Sequence, residues 1–286
     1  MHAPIPAALS SVDAYAPREI AHRIETLGVT KARSDAVSVL LLAVLAGAFI
    51  ALGALFFLVV VTRPVGGFGT TRLAGGVAFS LGLILVVVGG AELFTGNNLV
   101  AMAWASRRIT ASELLRNWAL VYTGNALGAL GTVGFAFLGG IQQFGNGAVG
   151  ATAVAIGRHK AALGFTEALA LGVLCNALVC LAVWLAMGGR TVTDKVLAIV
   201  FPITAFVTIG LEHSVANMFF LPYALVLQGL GDTPFIVGAL CNLVAVTLGN
   251  LVGGHRPRRW RILVRLSAPA QGHYRRCLSL ILGATH

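Results

Sequence analysis

Two short polar motifs interrupt hydrophobic stretches of this sequence and carry the groups best suited to chemistry. Residues Gly90–Asn98 and Gly210–Met218 both read G-x-E-x4-N, and their glutamates, Glu92 and Glu212, are 120 positions apart. A carboxylate is costly in lipid, so such residues normally face a protein interior or a wet cavity. Paired interruptions in corresponding halves of a membrane protein predict a binding site near the bilayer midplane.

The second motif contains a histidine that the first motif lacks. His213 directly follows Glu212, whereas Leu93 occupies the matching place after Glu92. Because an imidazole can donate, accept or carry charge near neutral pH, we predict that His213 faces the cavity, with Glu212 tuning or orienting the site. The hydroxyl of Thr95 can face the same cavity from the first motif. A structural histidine and a threonine that only caps the break are the alternatives.

The other polar residues of the two motifs are expected to hold the broken backbone. A break in a helix frees N–H and C=O groups, which must be paired inside a bilayer. We expect Glu92 and Glu212 to accept hydrogen bonds from such N–H groups. We expect Asn97, Asn98 and Asn217 to cap the half-helices that restart, whose N-termini favour anions.

The composition places these motifs in a membrane. The chain is 57% hydrophobic and 10% charged, and six stretches are long enough, or nearly so, for the ~20 residues that a spanning helix needs. They are Ala36–Thr62, Leu73–Ala91, Asn117–Gly157 (ending in a Gly-rich loop, Gly139–Gly150), Ala168–Gly189, Val196–Gln228 and Thr233–Gly254. We therefore predict an all-α integral membrane protein with six transmembrane helices, of which the second and fifth are interrupted.

Three regions follow from this pattern. Residues 1–35 form an N-terminal segment in which Ile20, Ile24 and Leu27 mark a short amphipathic helix. Residues 36–254 form the six-span domain, and residues 255–286 form a basic tail.

Two further motifs repeat in the same order in both halves of the chain. A-L-G-x-L occurs at Ala51–Leu55 and Ala170–Leu174, and G-N-x-x-G occurs at Gly124–Gly128 and Gly249–Gly253. Each half has three spans, an odd number, so the halves must have opposite orientations. The sequence therefore predicts an inverted three-plus-three repeat.

The basic residues predict the orientation of the chain. Of its 20 Lys and Arg residues, sixteen lie in the tails and in the second and fourth connections, and four lie on the other side: Arg63, Arg72, Arg158 and Lys160. The positive-inside rule then places both termini in the cytoplasm. The net charge of +10 is thus mainly a topology signal. Nucleic-acid binding is the less favoured interpretation, because the same charge would hold the tail at anionic lipid.

Three stretches, Gly90–Asn98, Leu174–Trp184 and Gly210–Met218, resemble the signature segments of the formate/nitrite transporter family. The similarity runs from about residue 36 to residue 254. The resemblance implies a homopentamer with an aquaporin-like fold and a separate pore in each protomer.

The same resemblance implies roles for individual residues. The family's central histidine and interrupted-helix threonine fall on His213 and Thr95, its vestibule lysine on Lys160 and its pore-facing asparagine on Asn176. Its apolar constrictions fall on Leu83, Phe94, Phe206 and the nearby Val179, with Phe79 as a further pore-facing candidate.

The function expected from this resemblance is transport of small monovalent anions, foremost formate and also nitrite, across a bacterial-type inner membrane. Moving a bare carboxylate into a low-dielectric constriction costs on the order of 20 kcal/mol by an ideal Born estimate. We therefore expect Lys160 to attract the anion and His213 to link its passage to a proton. Hydrosulfide or another weak-acid anion is the first alternative.

Two other classes remain as rivals. A neutral-solute channel of the aquaporin type shares the architecture, but its paired Asn-Pro-Ala boxes are absent from this sequence. A membrane enzyme would need an activated nucleophile or a metal cluster, and neither the His213–Glu212 pair nor the four cysteines form one. No enzymatic activity, metal or cofactor is therefore predicted.

Overall fold

A computed structural model describes residues 13–64 and 66–254, and the regular structure in these residues is helical. The predicted basic tail, 255–286, lies outside the described residues. The α-helices are α1 (Pro17–Arg33), α2 (Ala36–Val61), α3 (Phe68–Gly89), α4 (Phe94–Asn97), α5 (Ala101–Ala105), α6 (Ala111–Leu138), α7 (Ala148–Ala161), α8 (Phe165–Gly188), α9 (Val192–Ile209), α10 (Ser214–Gln228) and α11 (Thr233–Gly254). Short 3-10 turns cover Asn98–Val100 and Ile141–Gln143.

Six helices of the described residues are long and apolar enough to span a membrane: α2, α3, α6, α8, α9 and α11. This confirms the predicted number. The sequence pattern does not predict α7, which follows the Gly-rich connection. Its buried positions are Val149, Ala153 and Gly157. These are mostly small residues at a four-residue spacing. In a Gly- and Ala-rich sequence such positions do not differ enough in hydrophobicity from their neighbours to indicate a helix.

The amphipathic helix predicted near the N-terminus is present as α1. It buries Ile20 and Ile24 against a small apolar cluster that includes Leu99 and Met102. Leu27, predicted for the same apolar face, is 40% exposed, because it lies at the wall of a cavity rather than in the cluster. Helix α1 therefore packs on the spanning helices.

Both predicted breaks are present. Helix α3 is followed by Gly90 with φ of 73°, and α9 is followed by Gly210 with φ of 88°. This left-handed conformation favours glycine, which ends the helix at no steric cost. Three non-helical residues follow each glycine before α4 and α10 begin.

The inverted repeat pairs α2 with α8, α3 with α9, α4 and α5 with α10, and α6 with α11. Helix α2 packs on α6, and α8 packs on α11. Each contact contains a glycine of the G-N-x-x-G motif. A Cβ on Gly128 would collide with the Val44 carbonyl of α2, and a Cβ on Gly253 would collide with the Val173 carbonyl of α8. This close approach is the small-residue packing typical of membrane helices.

Candidate functional site

Two buried asparagines tie the broken backbone to neighbouring helices. The Asn125 Oδ1 accepts a hydrogen bond from the Phe94 N–H at 2.8 Å. The Asn125 Nδ2 donates to the carbonyls of Ala43 and Glu92 at 2.8 and 2.9 Å. One fully buried side chain therefore pairs one free N–H and one free carbonyl of the break.

Asn250 repeats this arrangement in the second half. Its Oδ1 accepts from the Ser214 N–H at 2.9 Å, and its Nδ2 donates to the carbonyls of Gly172 and Glu212 at 2.8 and 3.0 Å. Gly172 thus takes the place that Ala43 has in the first half. The A-L-G-x-L match, which would have paired Gly172 with Gly53, is therefore a coincidence of Gly- and Ala-rich helices.

The first glutamate lies in a four-residue polar network. Glu92 pairs with the ammonium of Lys31 at 3.0 Å and accepts from the Asn97 Nδ2 at 2.5 Å. The Asn97 Nδ2 also approaches the Asn117 Oδ1 at 3.1 Å, and the Asn117 Nδ2 donates to the Lys31 carbonyl at 3.1 Å. The network links α1, the break and α6.

The second glutamate lies in the matching network. Glu212 pairs with the ammonium of Lys160 at 2.6 Å and accepts from the Asn217 Nδ2 at 2.6 Å. The Asn217 Nδ2 approaches the Asn242 Oδ1 at 2.8 Å, and the Asn242 Nδ2 donates to the Lys160 carbonyl at 2.9 Å. This network links α7, the break and α11, so α7 is the repeat partner of α1.

These networks correct the predicted roles within the breaks. The two glutamates accept from asparagine and lysine side chains rather than from freed backbone N–H groups. Neither Asn97 nor Asn217 caps a half-helix, because each lies one turn inside it and donates to a glutamate. Asn98 donates weakly, at 3.4 Å, to the Asn250 carbonyl. The pairing of free N–H groups belongs instead to Asn125 and Asn250.

The sequence pattern does not identify Lys31, although the structure makes it the counterpart of Lys160. The reason is spacing. The two lysines are 129 positions apart and the two glutamates 120, so no single period relates the halves. The asparagines Asn125 and Asn250 did carry a signal, since both occur in G-N-x-x-G.

The histidine and threonine predicted to share a cavity are in contact. The Thr95 Oγ1 lies 2.9 Å from the His213 Nε2, and both residues are buried. His213 is also the N-cap of α10, where its Nδ1 accepts from the Ala216 N–H at 3.1 Å. An Nδ1 that accepts leaves the proton of a neutral imidazole on Nε2, so the Nε2–H donates to Thr95.

Aromatic rings adjoin this pair on one side. The His213 ring stacks on Phe206 with centroids 5.9 Å apart, and Phe206 meets the edge of Phe79 at 5.6 Å. Both phenylalanines are buried.

A cavity approaches the breaks from each end of α2. The first, which we call the Lys160 cavity, has a volume of about 950 Å³, and its wall includes Phe57, Lys160 and His213. The second, the Lys31 cavity, has about 360 Å³, and its wall includes Lys31 and Ser34. Phe57 is near the end of α2 and Ser34 precedes its start. Because α2 spans the membrane, the cavities open to opposite faces.

The remaining predicted pore residues differ in their positions. Phe79 and Phe206 are in the wall of the Lys160 cavity and Leu83 in that of the Lys31 cavity. Phe94, packed on Tyr122, and Val179 are buried. Asn176 is also buried, and its Nδ2 donates to the Asn250 carbonyl at 2.7 Å.

The described residues contain six helices that can span a membrane. The two breaks bring the buried Thr95–His213 pair between two cavities that open to opposite faces. This arrangement defines a multi-pass membrane transport protein. The chain belongs to the formate/nitrite transporter family, whose model matches residues 18–256. The match begins within α1 and so includes the helix that supplies Lys31.

Two relatives are a formate channel and a probable formate transporter. The formate channel FocA of Escherichia coli (strain K12) is 39% identical over 259 residues, covering 85% of this chain and 91% of FocA. A probable formate transporter of Methanothermobacter thermautotrophicus is 38% identical, covering 83% and 92%. The chain is therefore a transport protein and not an enzyme.

Two solved channel structures have folds similar to that of this chain. A pentameric formate channel with formate bound is 38% identical, with a TM-score of 0.72, covering 81% of this chain and 98% of that one. An FNT family ion channel is 26% identical, with a TM-score of 0.74, covering 84% and 95%.

Proposed function

We propose that this protein conducts formate, and also nitrite, through a pore in each protomer, between the Lys160 cavity and the Lys31 cavity. The observation that carries the proposal is the buried contact of Thr95 and His213 at 2.9 Å between these cavities. The relatives named formate channels support the choice of anion.

Thr95 and His213 supply the hydrogen bonds that a carboxylate needs at the centre of the pore. The neutral imidazole presents its Nε2–H, because its Nδ1 is occupied by the Ala216 N–H. An anion that enters between the two residues takes the Nε2–H as one donor and the Thr95 hydroxyl as a second. Both hydrogen bonds strengthen on a charged acceptor.

His213 also links the passage of the anion to a proton. A protonated imidazole has a donor on both nitrogens, so it must give up the hydrogen bond from the Ala216 N–H. The cation, formed when the imidazole takes up a proton from cavity water, is therefore disfavoured and passes one proton to the anion. The anion leaves as a neutral acid and the imidazole returns to its neutral form. Loss of the negative charge removes most of the Born cost of the apolar constrictions.

Apolar side chains on both sides of the polar pair exclude hydrated ions. Phe79 and Phe206 form the constriction at the Lys160 cavity, while Leu83 forms the other with Phe94. Val179 packs near the Phe206 side. Narrow apolar passages of this kind gate by dewetting.

Glu212 and Asn176 act on the pathway through their partners. Glu212 orients Lys160 through their ion pair, and Asn176 holds the Asn250 carbonyl. Lys160, in the wall of the cavity, presents this ion pair to an entering anion.

We further propose a homopentamer in a bacterial inner membrane, with both termini in the cytoplasm. The pentameric formate channel at 38% identity supports the copy number, and native mass spectrometry that gave another number would reject it. The Lys31 cavity then faces the cytoplasm. In this orientation residues 1–35 are a cytoplasmic N-terminal segment, 36–254 are the channel and 255–286 are a basic cytoplasmic tail.

The test of this function is anion flux into proteoliposomes that contain the purified protein. We expect formate and nitrite to enter faster than into empty vesicles, and formate uptake to acidify the lumen when the outside is acidic. Transport of hydrosulfide alone would establish the alternative weak-acid channel. Swelling in glycerol without anion flux would establish the neutral-solute channel and overturn the proposal.

A further inference from the structure

Both cavity lysines are neutralised by a carboxylate. Lys160 lies 2.6 Å from Glu212 and Lys31 lies 3.0 Å from Glu92. An ion pair at these distances presents a dipole to an approaching anion, and its attraction fades faster with distance than that of a free charge. Neither lysine therefore supplies net positive charge to its cavity.

Arg72 is a cation of a different kind. It lies in the second turn of α3, half-buried, in the wall of the Lys160 cavity. Its Nη2 donates to the Val207 carbonyl at 2.8 Å and its Nε to the Thr208 carbonyl at 3.1 Å. Among the described residues no carboxylate lies within ion-pair distance of it. Since its acceptors are neutral, Arg72 keeps its whole charge.

The position of Arg72 also offsets a negative pole. The C-terminal end of α9 lies at the Lys160 cavity, whose wall includes Val207, Thr208 and Gly210. Carbonyls in the last turn of a helix carry partial negative charge, which repels anions. Arg72 donates to two of them, of which the Val207 carbonyl also accepts from the Gly210 N–H. A Cβ at Gly210 would lie 2.8 Å from the Arg72 Nη2, so the glycine leaves space for the guanidinium.

Among the described residues, the wall of the Lys31 cavity contains no cation equivalent to Arg72. The 120-residue offset that relates the two breaks places Val192 opposite Arg72. Lys31 and Glu92, which form an ion pair, are the charged residues that the described part of the chain contributes to that wall. In the Lys160 cavity, Glu167 is the other carboxylate besides Glu212, and it is exposed to solvent.

We infer that Arg72, rather than Lys160, is the unpaired and half-buried cation that draws small anions into the Lys160 cavity, and that capture is therefore stronger from that face than from the other. This inference rests on the proposed anion transport. Arg72 acts as a positioning residue, through the potential of the cavity, and need not touch the substrate.

The test compares Arg72→Gln and Arg72→Lys in proteoliposomes of one orientation, with formate entering through the Lys160 cavity at pH 7.5. His159 also lies in the cavity wall, so all variants are compared at this one pH. We expect Arg72→Gln to raise the KM about three- to tenfold at low salt, with little change in the maximal rate. The difference should shrink at high salt, where charges are screened over a few Å. Arg72→Lys should stay near the wild type.

Arg63→Gln is the matched control, because it removes an exposed positive charge on the same side that does not line the cavity. An Arg72→Gln protein with the KM and salt dependence of the wild type would overturn the inference. If that variant fails to assemble, the inference is tested with the wild-type protein. Its KM for formate should depend more on salt for entry through the Lys160 cavity than for entry through the Lys31 cavity. Equal salt dependence overturns the inference alone, whereas a wild type without anion flux rejects the proposed function itself.

Discussion

His213 has two tasks at the residue scale, and its ring nitrogens divide them. Its Nδ1 caps α10 by accepting from the Ala216 N–H, while its Nε2 contacts Thr95. The sequence indicates the second task, because a histidine stands beside a break. It does not show the cap, which depends on the backbone conformation at the start of α10. The two tasks make His213→Phe ambiguous, since it would remove the cap together with the imidazole.

His213→Asn separates the two tasks. Asparagine is among the best N-cap residues, so α10 keeps its cap, but its side chain cannot carry a proton. We expect formate flux to persist in liposomes and its pH dependence to flatten. Wild-type uptake should fall as the pH outside the vesicles rises, because each proton-linked transport event takes a proton from that solution.

His22→Asn, at an exposed position on α1, is the control and should keep the wild-type profile. A His213→Asn protein that also keeps that profile would remove His213 from the proton pathway.

At the element scale, each broken helix depends on a different helix for its hydrogen bonds. Asn125 of α6 and Asn250 of α11 pair the groups freed by the breaks. Glu92 and Glu212 then anchor the cavity helices α1 and α7 through their lysines. The breaks could be predicted, because glycine and polar residues interrupt apolar runs. Their partners could not, because the partners are about 30 to 40 residues away in the chain.

Asn125→Ala should therefore destabilise the fold rather than alter selectivity. It leaves the Phe94 N–H and two carbonyls without this partner in a dry environment, at a cost of about 3 kcal/mol or more. We expect the melting temperature in detergent, followed by tryptophan fluorescence, to fall by roughly 5–10 °C. Gln143→Ala, at an exposed position of a connection, is the control and should melt like the wild type. An unchanged melting temperature for Asn125→Ala would contradict the bracing role.

At the scale of the whole molecule, the inverted repeat extends beyond the six spans. Helices α1 and α7 precede the two halves and each supplies one lysine to a matching network. The symmetry places a cavity at either face. Arg72 and His213 are two of the departures from it, since Val192 and Leu93 occupy the matching positions, and the charge of Arg72 distinguishes the two faces electrostatically.

The proposed orientation is tested by fusions to alkaline phosphatase, which is active only outside the cytoplasm. A fusion at the C-terminus should be inactive, and a fusion after Asn146, in the connection between α6 and α7, should be active. The bias of basic residues towards the tails supports this expectation. The reverse pattern of activity would invert the assignment and make the Lys31 cavity external.

By itself, the sequence determined the class of membrane protein, the six spans, the two breaks and the presence of Thr95 and His213 at those breaks. These follow from local properties: apolar length, interrupting glycines and ionisable groups that lipid does not tolerate. Only the tertiary structure decided which residues satisfy the breaks, that Lys31 matches Lys160, and that α7 is a helix. Those outcomes depend on contacts between distant segments whose spacing differs between the halves, so no periodicity along the chain records them.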